Sequence, residues 1–390
     1  MKKIHVAYIS IAALADCDLP LLKEMSEWAD IDYYLPMTGV GFQSVLLNAR
    51  IKDKASLYCA HEYPELSFLQ EWISLEHVFI LNMPLPHDYS PDNLRVVWQC
   101  MRKIRRERYD IIHVTEPLRY SFFPLYMFRS RMIMTIHDPI PHSCNYNKRN
   151  LRHRWMAFKM VKDFILLNRH QTDEFSSNYH IAKNHIRHLR LGVYYHLSKL
   201  PAGKALFPTP YILFFGTING NKGIEYLCEA MTRVFDKKPD LHLVIAGKGD
   251  FYFDISKYTQ DPRVHIMNRF ITDDEQVSLI SNCEMIVCPY IDATQSGVIM
   301  SAFGLNKPVI ASNVGGLGEM FESGRHGLLV EPRNVEDLTQ AILSMSDRNL
   351  LKDMSAHILE DYSSGKNSWH AIAKELADVY YNFIKSRKEE

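Results

Sequence analysis

The sequence predicts an α/β protein built from two doubly wound domains in series, with a cleft between them. Strand-length apolar segments alternate with helical segments in both halves, the pattern of a parallel sheet covered by helices on both faces. The 390 residues exceed what one core of usual size holds. A linker is expected at 201–210, which contains three prolines and little periodicity. The predicted domains are therefore 1–200 and 211–365, followed by a C-terminal helix at 366–390.

The N-terminal half shows the alternation clearly at both ends and poorly in one stretch. Region 39–69 has no clear period, and we expect loop and helix there. Strands are predicted at 2–10, 31–35, 77–81, 109–115, 132–137, 164–167 and 187–193, and helices near 19–28, 92–108 and 148–162.

The C-terminal half repeats the pattern and closes on an amphipathic helix. From Trp369 to Phe383 the apolar residues follow helical spacing and form one stripe. Strands are predicted at 211–215, 241–246, 264–267, 285–288, 308–311 and 327–330, and helices at 224–235, 273–281, 298–303, 335–345 and 350–362.

Composition limits the cellular setting. No apolar run reaches 18 residues, so no membrane-spanning segment is expected. The seven cysteines are scattered without metal-site spacing, which is typical of reduced thiols in a cytoplasmic protein.

Charge is distributed unevenly although the net charge is zero. Residues 1–200 hold 26 Lys and Arg against 20 acids, and nine basic residues stand against one acid between Arg119 and Lys162. This region suits an anionic partner, and the alternative is an ordinary solvated basic face. Nucleic acid is disfavoured because aromatic and basic residues do not interleave. We expect peripheral contact with an anionic membrane at its inner face.

A small polar turn, Thr294-Gln295-Ser296-Gly297, separates a predicted strand from a predicted helix. Ser296 can cap the helix, and Gly297 allows a ligand to approach the backbone closely. A turn of this kind can hold a phosphate at the helix N-terminus. An ordinary β-α-β unit with a well-capped helix is the alternative.

Two further loops follow strands of the same predicted sheet. The first, 216–223, contains Gly216, Thr217 and Lys222, whose ammonium suits a phosphate; the second is Gly247-Lys248-Gly249. The spacing is not that of a Walker loop. Each loop alone is more often a simple turn, but three at one sheet edge indicate a nucleoside diphosphate.

One histidine in the first half ends a predicted strand. His137 is followed by Asp138, and the strand end faces the predicted cleft. Such a histidine can hydrogen-bond a substrate or handle a proton, and the alternative is a purely structural residue.

Taken together, the motifs resemble the family 4 glycosyltransferases of GT-B fold. The resemblance rests on Arg187–Val193, Phe214–Gly223, Ala246–Gly249, Cys288–Gly316 and Ser368-Trp369. It implies a sugar transfer with retention from a nucleotide-diphosphate sugar, with neither an obligatory metal nor another cofactor. The N-terminal domain would hold a glycan or lipid-linked acceptor, the C-terminal domain the nucleotide, and the last helix would cross back to the first domain. The product would be a cell-surface polysaccharide or glycolipid.

The resemblance also carries residue roles onto this sequence. Lys222 matches the family lysine on the donor diphosphate, and His137 matches a histidine that contacts the donor sugar; both are predicted to be catalytic. The predicted donor-binding residues are Gly216, Thr217, Gly247, Lys248, Asp292, Thr294, Gln295, Ser296, Gly297, Val298 and Ser301.

This sequence departs from the family pattern where two glutamates are usual. Ala293 and Ser301 occupy those positions, Asp292 stands one residue before the first, and Thr217 replaces a frequent arginine. The departures keep a second hypothesis open, a non-catalytic GT-B subunit that scaffolds or regulates a partner transferase. A third and weaker one is another GT-B enzyme, such as a sugar-nucleotide epimerase.

Overall fold

The structure is a computed structural model that describes residues 3–39, 41–43, 46–85, 87, 89–140 and 148–389. It divides into two units, one formed by residues up to Arg190 together with those from Trp369 onward, the other by Leu191–Ser368. The last helix therefore belongs to the N-terminal unit, as predicted.

The strands and helices follow one another along the chain in the α/β alternation. The strands are β1 Ile4–Ile9, β2 Ala29–Thr38, β3 Gly41–Gln43, β4 Asn48–Arg50, β5 Ser56–Cys59, β6 Val78–Met83, β7 Ile111–Thr115, β8 Met132–Ile136, β9 Asp163–Leu166, β10 Ile186–His188, β11 Tyr211–Phe215, β12 His242–Ala246, β13 Val264–Met267, β14 Met285–Cys288, β15 Val309–Ser312 and β16 Gly327–Val330. The α-helices are α1 Ala15–Met25, α2 Pro91–Glu107, α3 Lys148–Met160, α4 Thr172–Tyr179, α5 Ile224–Lys237, α6 Ser256–Thr259, α7 Asp273–Asn282, α8 Gly297–Gly304, α9 Val335–Met345, α10 Arg348–Ser363 and α11 Trp369–Glu389.

The N-terminal unit is built on an eight-stranded sheet in the order β10-β9-β8-β7-β1-β2-β6-β5. All neighbours pair in parallel except β5 and β6. Helix α11 packs beside α1, and its buried Tyr380 hydroxyl lies 2.6 Å from Nδ1 of His113 on β7. This bond and the apolar stripe attach the end of the chain to the first unit.

The C-terminal unit is built on a six-stranded, fully parallel sheet in the order β13-β12-β11-β14-β15-β16. Helices cover both faces, and one apolar core runs through the unit. The strand order reverses between β11 and β14. Ligands of doubly wound sheets bind beyond the C-terminal strand ends at such a reversal.

Several predicted elements differ from the structure. Region 39–69 holds β3, β4, β5 and short 3₁₀ segments rather than loop and α-helix. The predicted strand 187–193 is shortened to β10, which ends at His188. From Leu191 onward the chain belongs to the second unit, where Val193 joins the apolar core. Periodicity alone did not show that the strand ends at His188.

The predicted linker at 201–210 lies beyond the point where the two units divide. The second unit begins at Leu191, and the hydroxyl of Ser278 on α7 donates a hydrogen bond of 2.6 Å to the Lys204 carbonyl oxygen. The proline-rich stretch is therefore attached to the second unit. No helix in the described part of the chain is long and apolar enough to cross a membrane.

Candidate functional site

Three loops meet at the C-terminal edge of the second unit's sheet, beside the strand reversal. The amide of Ile218 in the first loop donates to the Lys248 carbonyl oxygen in the second at 3.0 Å. The amide of Ile291, which follows β14, donates to the Asn221 carbonyl oxygen at 2.9 Å. Direct backbone bonds therefore join the first loop to the second loop and to the segment that leads from β14 into the third.

The glycines of these loops allow one backbone to approach another. Gly247 has φ +151°, and a Cβ atom there would lie 1.8 Å from the Gly216 carbonyl oxygen. Gly216 has φ +124°, and its added Cβ would lie 3.3 Å from Val298 on α8. The structure thus shows which neighbours these two glycines approach closely, namely the other loop and α8.

Lys222 is the cation at the centre of the site. Its Nζ lies 3.6 Å from the ring centroid of Tyr290, whose side chain is fully buried. Burial lowers the pKa of Lys222 below its usual value. Within the described part of the chain, Lys222 takes part in no ion pair. A partly buried ammonium without a carboxylate partner is suited to an external anion.

The turn before α8 has the local structure that the sequence predicted. Ser296 is the N-cap, and its Oγ accepts a hydrogen bond from the Ile299 amide at 3.4 Å. An added Cβ on Gly297 would lie 2.6 Å from the Tyr194 hydroxyl, so a larger residue would have to displace this ring. The connection from β14 to this helix N-terminus also contains Tyr290, whose ring lies beside Lys222.

The remaining predicted donor-binding residues differ in exposure. Thr217, Lys248 and Asp292 are exposed, whereas the Thr294 side chain is buried. Gln295 is half-buried, and its Nε2 atom is buried without a hydrogen-bond partner among the residues that the structure describes. An unsatisfied amide at this position is consistent with a ligand contact.

His137 lies in the N-terminal unit, directly after β8. Its amide donates to Glu116 Oε1 at 2.6 Å, and the other carboxylate oxygen of Glu116 lies 3.2 Å from Arg154 Nη1. Burial lowers the pKa of His137 to about 4, so its imidazole is neutral near neutral pH. A neutral imidazole can both donate and accept a hydrogen bond.

The sequence analysis did not single out two residues that contact candidate site residues, namely Glu116 beside His137 and Tyr290 beside Lys222. Glu116 follows a buried strand and has φ +62°, which is uncommon for a residue other than glycine. The signal in the sequence that could have identified Glu116 is its position at the end of a predicted strand. Tyr290 stands four residues before the predicted turn, but only the tertiary structure places its ring beside Lys222. Over the described ranges, no cluster of three or more His, Cys, Asp or Glu residues is placed to hold a metal ion.

Two family models match this chain and together account for more than half of it. The model described as Glycosyltransferase Family 4 matches residues 54–194, and the model described as Glycosyl transferases group 1 matches residues 209–348. The chain belongs to the family 4 glycosyltransferases of GT-B fold.

Curated relatives of this GT-B chain match over part of its length. An uncharacterized glycosyltransferase of Methanocaldococcus jannaschii is 31% identical over 173 residues, which cover 43% of this chain and 44% of the relative. The alpha-D-kanosaminyltransferase of Streptomyces kanamyceticus is 28% identical over 175 residues, 44% of this chain and 45% of the relative. The matched region thus spans less than half of either relative.

Solved structures extend the likeness to the whole fold. A glycosyltransferase from Rickettsia africae covers 99% of this chain and 100% of its own, with a TM-score of 0.66 and 16% identity. Anabaena HepE, solved in complex with UDP and glucose, covers 97% of this chain and 100% of its own, with a TM-score of 0.61 and 14% identity. At these identities the likeness shows the GT-B fold alone.

The two unusual positions of this GT-B chain lie in packed surroundings. Ala293 is buried, and its carbonyl oxygen would lie 1.8 Å from a Cβ added to Gly315. Ser301 is buried on α8, and its Oγ accepts a hydrogen bond from Gln276 Nε2 of α7 at 3.0 Å. The predicted role of Ser301 in donor binding therefore competes with an existing contact between two helices.

We expect Ser296→Ala to lower the free energy of unfolding of the GT-B chain by about 1 kcal/mol, because it removes the side-chain cap of α8. Urea unfolding followed by circular dichroism measures this change. Ser344→Ala is the matched control, since Ser344 is exposed within α9 and caps no helix. Equal stability of the two variants would show that the cap contributes nothing.

Proposed function

We propose that this chain is a retaining glycosyltransferase. It transfers a sugar from a nucleotide-diphosphate sugar to a glycan or lipid-linked acceptor. The proposed setting is cell-surface polysaccharide or glycolipid synthesis, in the cytoplasm. Membership of the family supports the reaction class. The HepE structure in complex with UDP supports a uridine nucleotide as one candidate donor to test.

The observation that carries the proposal is the partly buried ammonium of Lys222. It lies at the strand reversal, stacks on Tyr290 and has no ion-pair partner within the described ranges. A diphosphate bound there would supply the missing counter-charge. Hydrogen bonds to charged groups contribute roughly 1.5–3 kcal/mol each, so one such contact accounts for a substantial part of donor affinity.

The proposed step is a substitution at the anomeric carbon. The bond between the sugar C1 and the phosphate oxygen breaks, and its electron pair remains on the leaving diphosphate. The acceptor oxygen bonds to C1 on the same face, and its proton passes to the leaving phosphate oxygen. Lys222 and the amides at the start of α8 stabilise the negative charge that develops. These groups supply positive charge from the chain itself, so the proposal includes no metal or other cofactor.

His137 has a supporting role in the proposal. Because its imidazole is neutral near neutral pH, it is suited to a hydrogen bond with a hydroxyl of the donor sugar. The bond from its amide to Glu116 fixes the backbone at this point.

A second candidate function is a non-catalytic GT-B subunit that scaffolds or regulates a partner transferase. It is favoured by Ala293 and Ser301, which stand where the family usually has acids. The Ser301 contact with Gln276 adds to this, because a hydroxyl engaged between two helices is poorly placed to bind a ribose.

Binding of nucleotides distinguishes the transferase from the non-catalytic subunit. We expect one nucleoside diphosphate or its sugar derivative to raise the melting temperature of the full chain, because a ligand at 100 times its Kd stabilises by about 2.7 kcal/mol. The measurement is a thermal-shift panel of UDP, GDP, ADP and their sugar derivatives, with the matching monophosphates as controls. An unchanged melting temperature with every compound would contradict a donor site and favour the scaffolding subunit.

A further inference from the structure

A candidate contact surface lies on the N-terminal unit. The connections from β6 through β7 and β8 to β9 all run in the same direction across the sheet. Because such crossovers are right-handed, α2, the segment Tyr120–Arg131 and α3 cover the same face of the sheet. Val97, Phe122 and Phe158, one from each element, enter a common core. The outer sides of the three elements therefore form one continuous surface, here called the α2–α3 face.

The α2–α3 face exposes large apolar side chains. Trp98 on α2 is 54% exposed, Met127 in the middle segment is 64% exposed, and Trp155 on α3 is 47% exposed. Neighbouring Leu94 on α2 is also exposed. Single exposed apolar residues are common, but one from each of three adjacent elements marks a contact surface.

Basic side chains accompany both tryptophans. The Arg102 guanidinium carbon lies 4.5 Å from the Trp98 ring centroid, and Lys159 Nζ lies 4.8 Å from the Trp155 ring centroid. Residues 139–162 contain no Asp or Glu. The further exposed cations described on these elements are Arg95, Arg105, Arg106, Arg129, Arg131 and Arg152, and the exposed Lys162 follows α3. Two of them pair with acids of α2, Arg95 with Asp92 and Arg106 with Glu107. Tryptophan beside a cation is the side-chain pair typical of a membrane interface.

We infer that the α2–α3 face docks on an anionic lipid bilayer. Trp98, Met127 and Trp155 enter the interfacial region, while the surrounding arginines and lysines pair with lipid phosphates. Charge complementarity favours an anionic partner, and the exposed apolar side chains favour lipid over nucleic acid, whose backbone offers them no apolar contact. The inference adds a docking surface to the proposed function and does not depend on sugar transfer.

This surface revises the membrane region predicted from the sequence. That prediction covered Arg119–Lys162 and missed α2; residues 141–147 of it lie outside the described residues. The helix predicted at 148–162 ends at Met160 in the structure, with Phe158 buried and Trp155 exposed.

The test is co-sedimentation of the full chain with vesicles of phosphatidylcholine alone or mixed with phosphatidylglycerol. We expect binding to the mixed vesicles only, decreasing as salt is raised. The charge-reversal variant Arg102→Glu/Arg105→Glu should bind at least roughly tenfold more weakly. Arg348→Glu/Lys352→Glu on α10 makes the same charge change at exposed positions of the other unit and should bind like the wild type.

The contribution of the exposed apolar side chains to membrane docking is tested with separate variants and a separate measurement. Trp98→Ser/Trp155→Ser should lose the quenching of tryptophan fluorescence by brominated lipid, whereas Leu359→Ser, at another exposed apolar position, should retain it. Circular dichroism verifies that each variant is folded. The inference is overturned if the wild type does not bind mixed vesicles at low salt, or if both charge-reversal variants bind equally. It is also overturned if the chain binds a polynucleotide but no vesicle. A nucleotide thermal shift is measured without lipid, so failure of docking and failure of the donor site are distinguishable.

Discussion

Replacing Lys222 with alanine is expected to weaken nucleoside diphosphate binding by roughly 10–100-fold, the equivalent of one charged hydrogen bond. The reason is local, because Lys222 is the partly buried cation that faces the converging loops and has no ion-pair partner within the described ranges. Isothermal titration calorimetry with the diphosphate found in the thermal-shift panel measures the change directly.

A matched control separates this local effect from a general change in charge. Lys237→Ala removes a lysine from the exposed end of α5 in the same unit and should leave the affinity unchanged. Lys222→Arg retains the charge but introduces a larger planar group beside Tyr290, so we expect only partial recovery. Wild-type affinity in Lys222→Ala would refute the phosphate assignment.

Replacing Gly247 with alanine is expected to destabilise the second unit by roughly 3–5 kcal/mol. The methyl group would lie 1.8 Å from the Gly216 carbonyl oxygen, and the backbone has φ +151°, so steric overlap adds to conformational strain. Chemical unfolding followed by circular dichroism measures the loss. The first two loops would also have to separate, and nucleotide binding should fall with stability.

Gly324→Ala is the control that separates the steric overlap at Gly247 from the conformational strain. Gly324 also has a positive φ, +85°, but an added Cβ there has no neighbour within 4 Å. The expected loss is therefore about 1 kcal/mol, from strain alone. Similar losses in both variants would mean that the loops yield readily and that their close contact is not a rigid feature of the site.

The local pattern of apolar and polar residues was sufficient to predict most strands and helices of the fold. The apolar runs at 285–288 and 335–345 reproduce β14 and α9 at both ends, because a buried strand and an amphipathic helix record their surroundings in their own residue order. Region 39–69 was predicted poorly because β3 and β4 have only three residues each, and β5 is half-buried along its whole length and so lacks the fully buried apolar run that marks β14.

The candidate site, like the fold, has parts that the local sequence predicts and parts that it does not. The cap at Ser296 was predictable, because a cap involves residues only three positions apart. Ser301 was placed with the donor-binding residues because it occupies a position where the family usually has a glutamate. Its hydroxyl instead accepts a hydrogen bond from Gln276 on another helix, a contact that no local pattern records.

The sequence alone determined the α/β class, the family, the three loops and the lysine among them, because each is expressed in neighbouring residues. Tertiary structure decided what those residues touch. It placed Gly247 against Gly216, the ring of Tyr290 under Lys222, and Trp98 on the same face as Trp155. Such contacts join residues far apart in the chain, and they form only when the sheets and their crossovers bring strand ends and helix faces together.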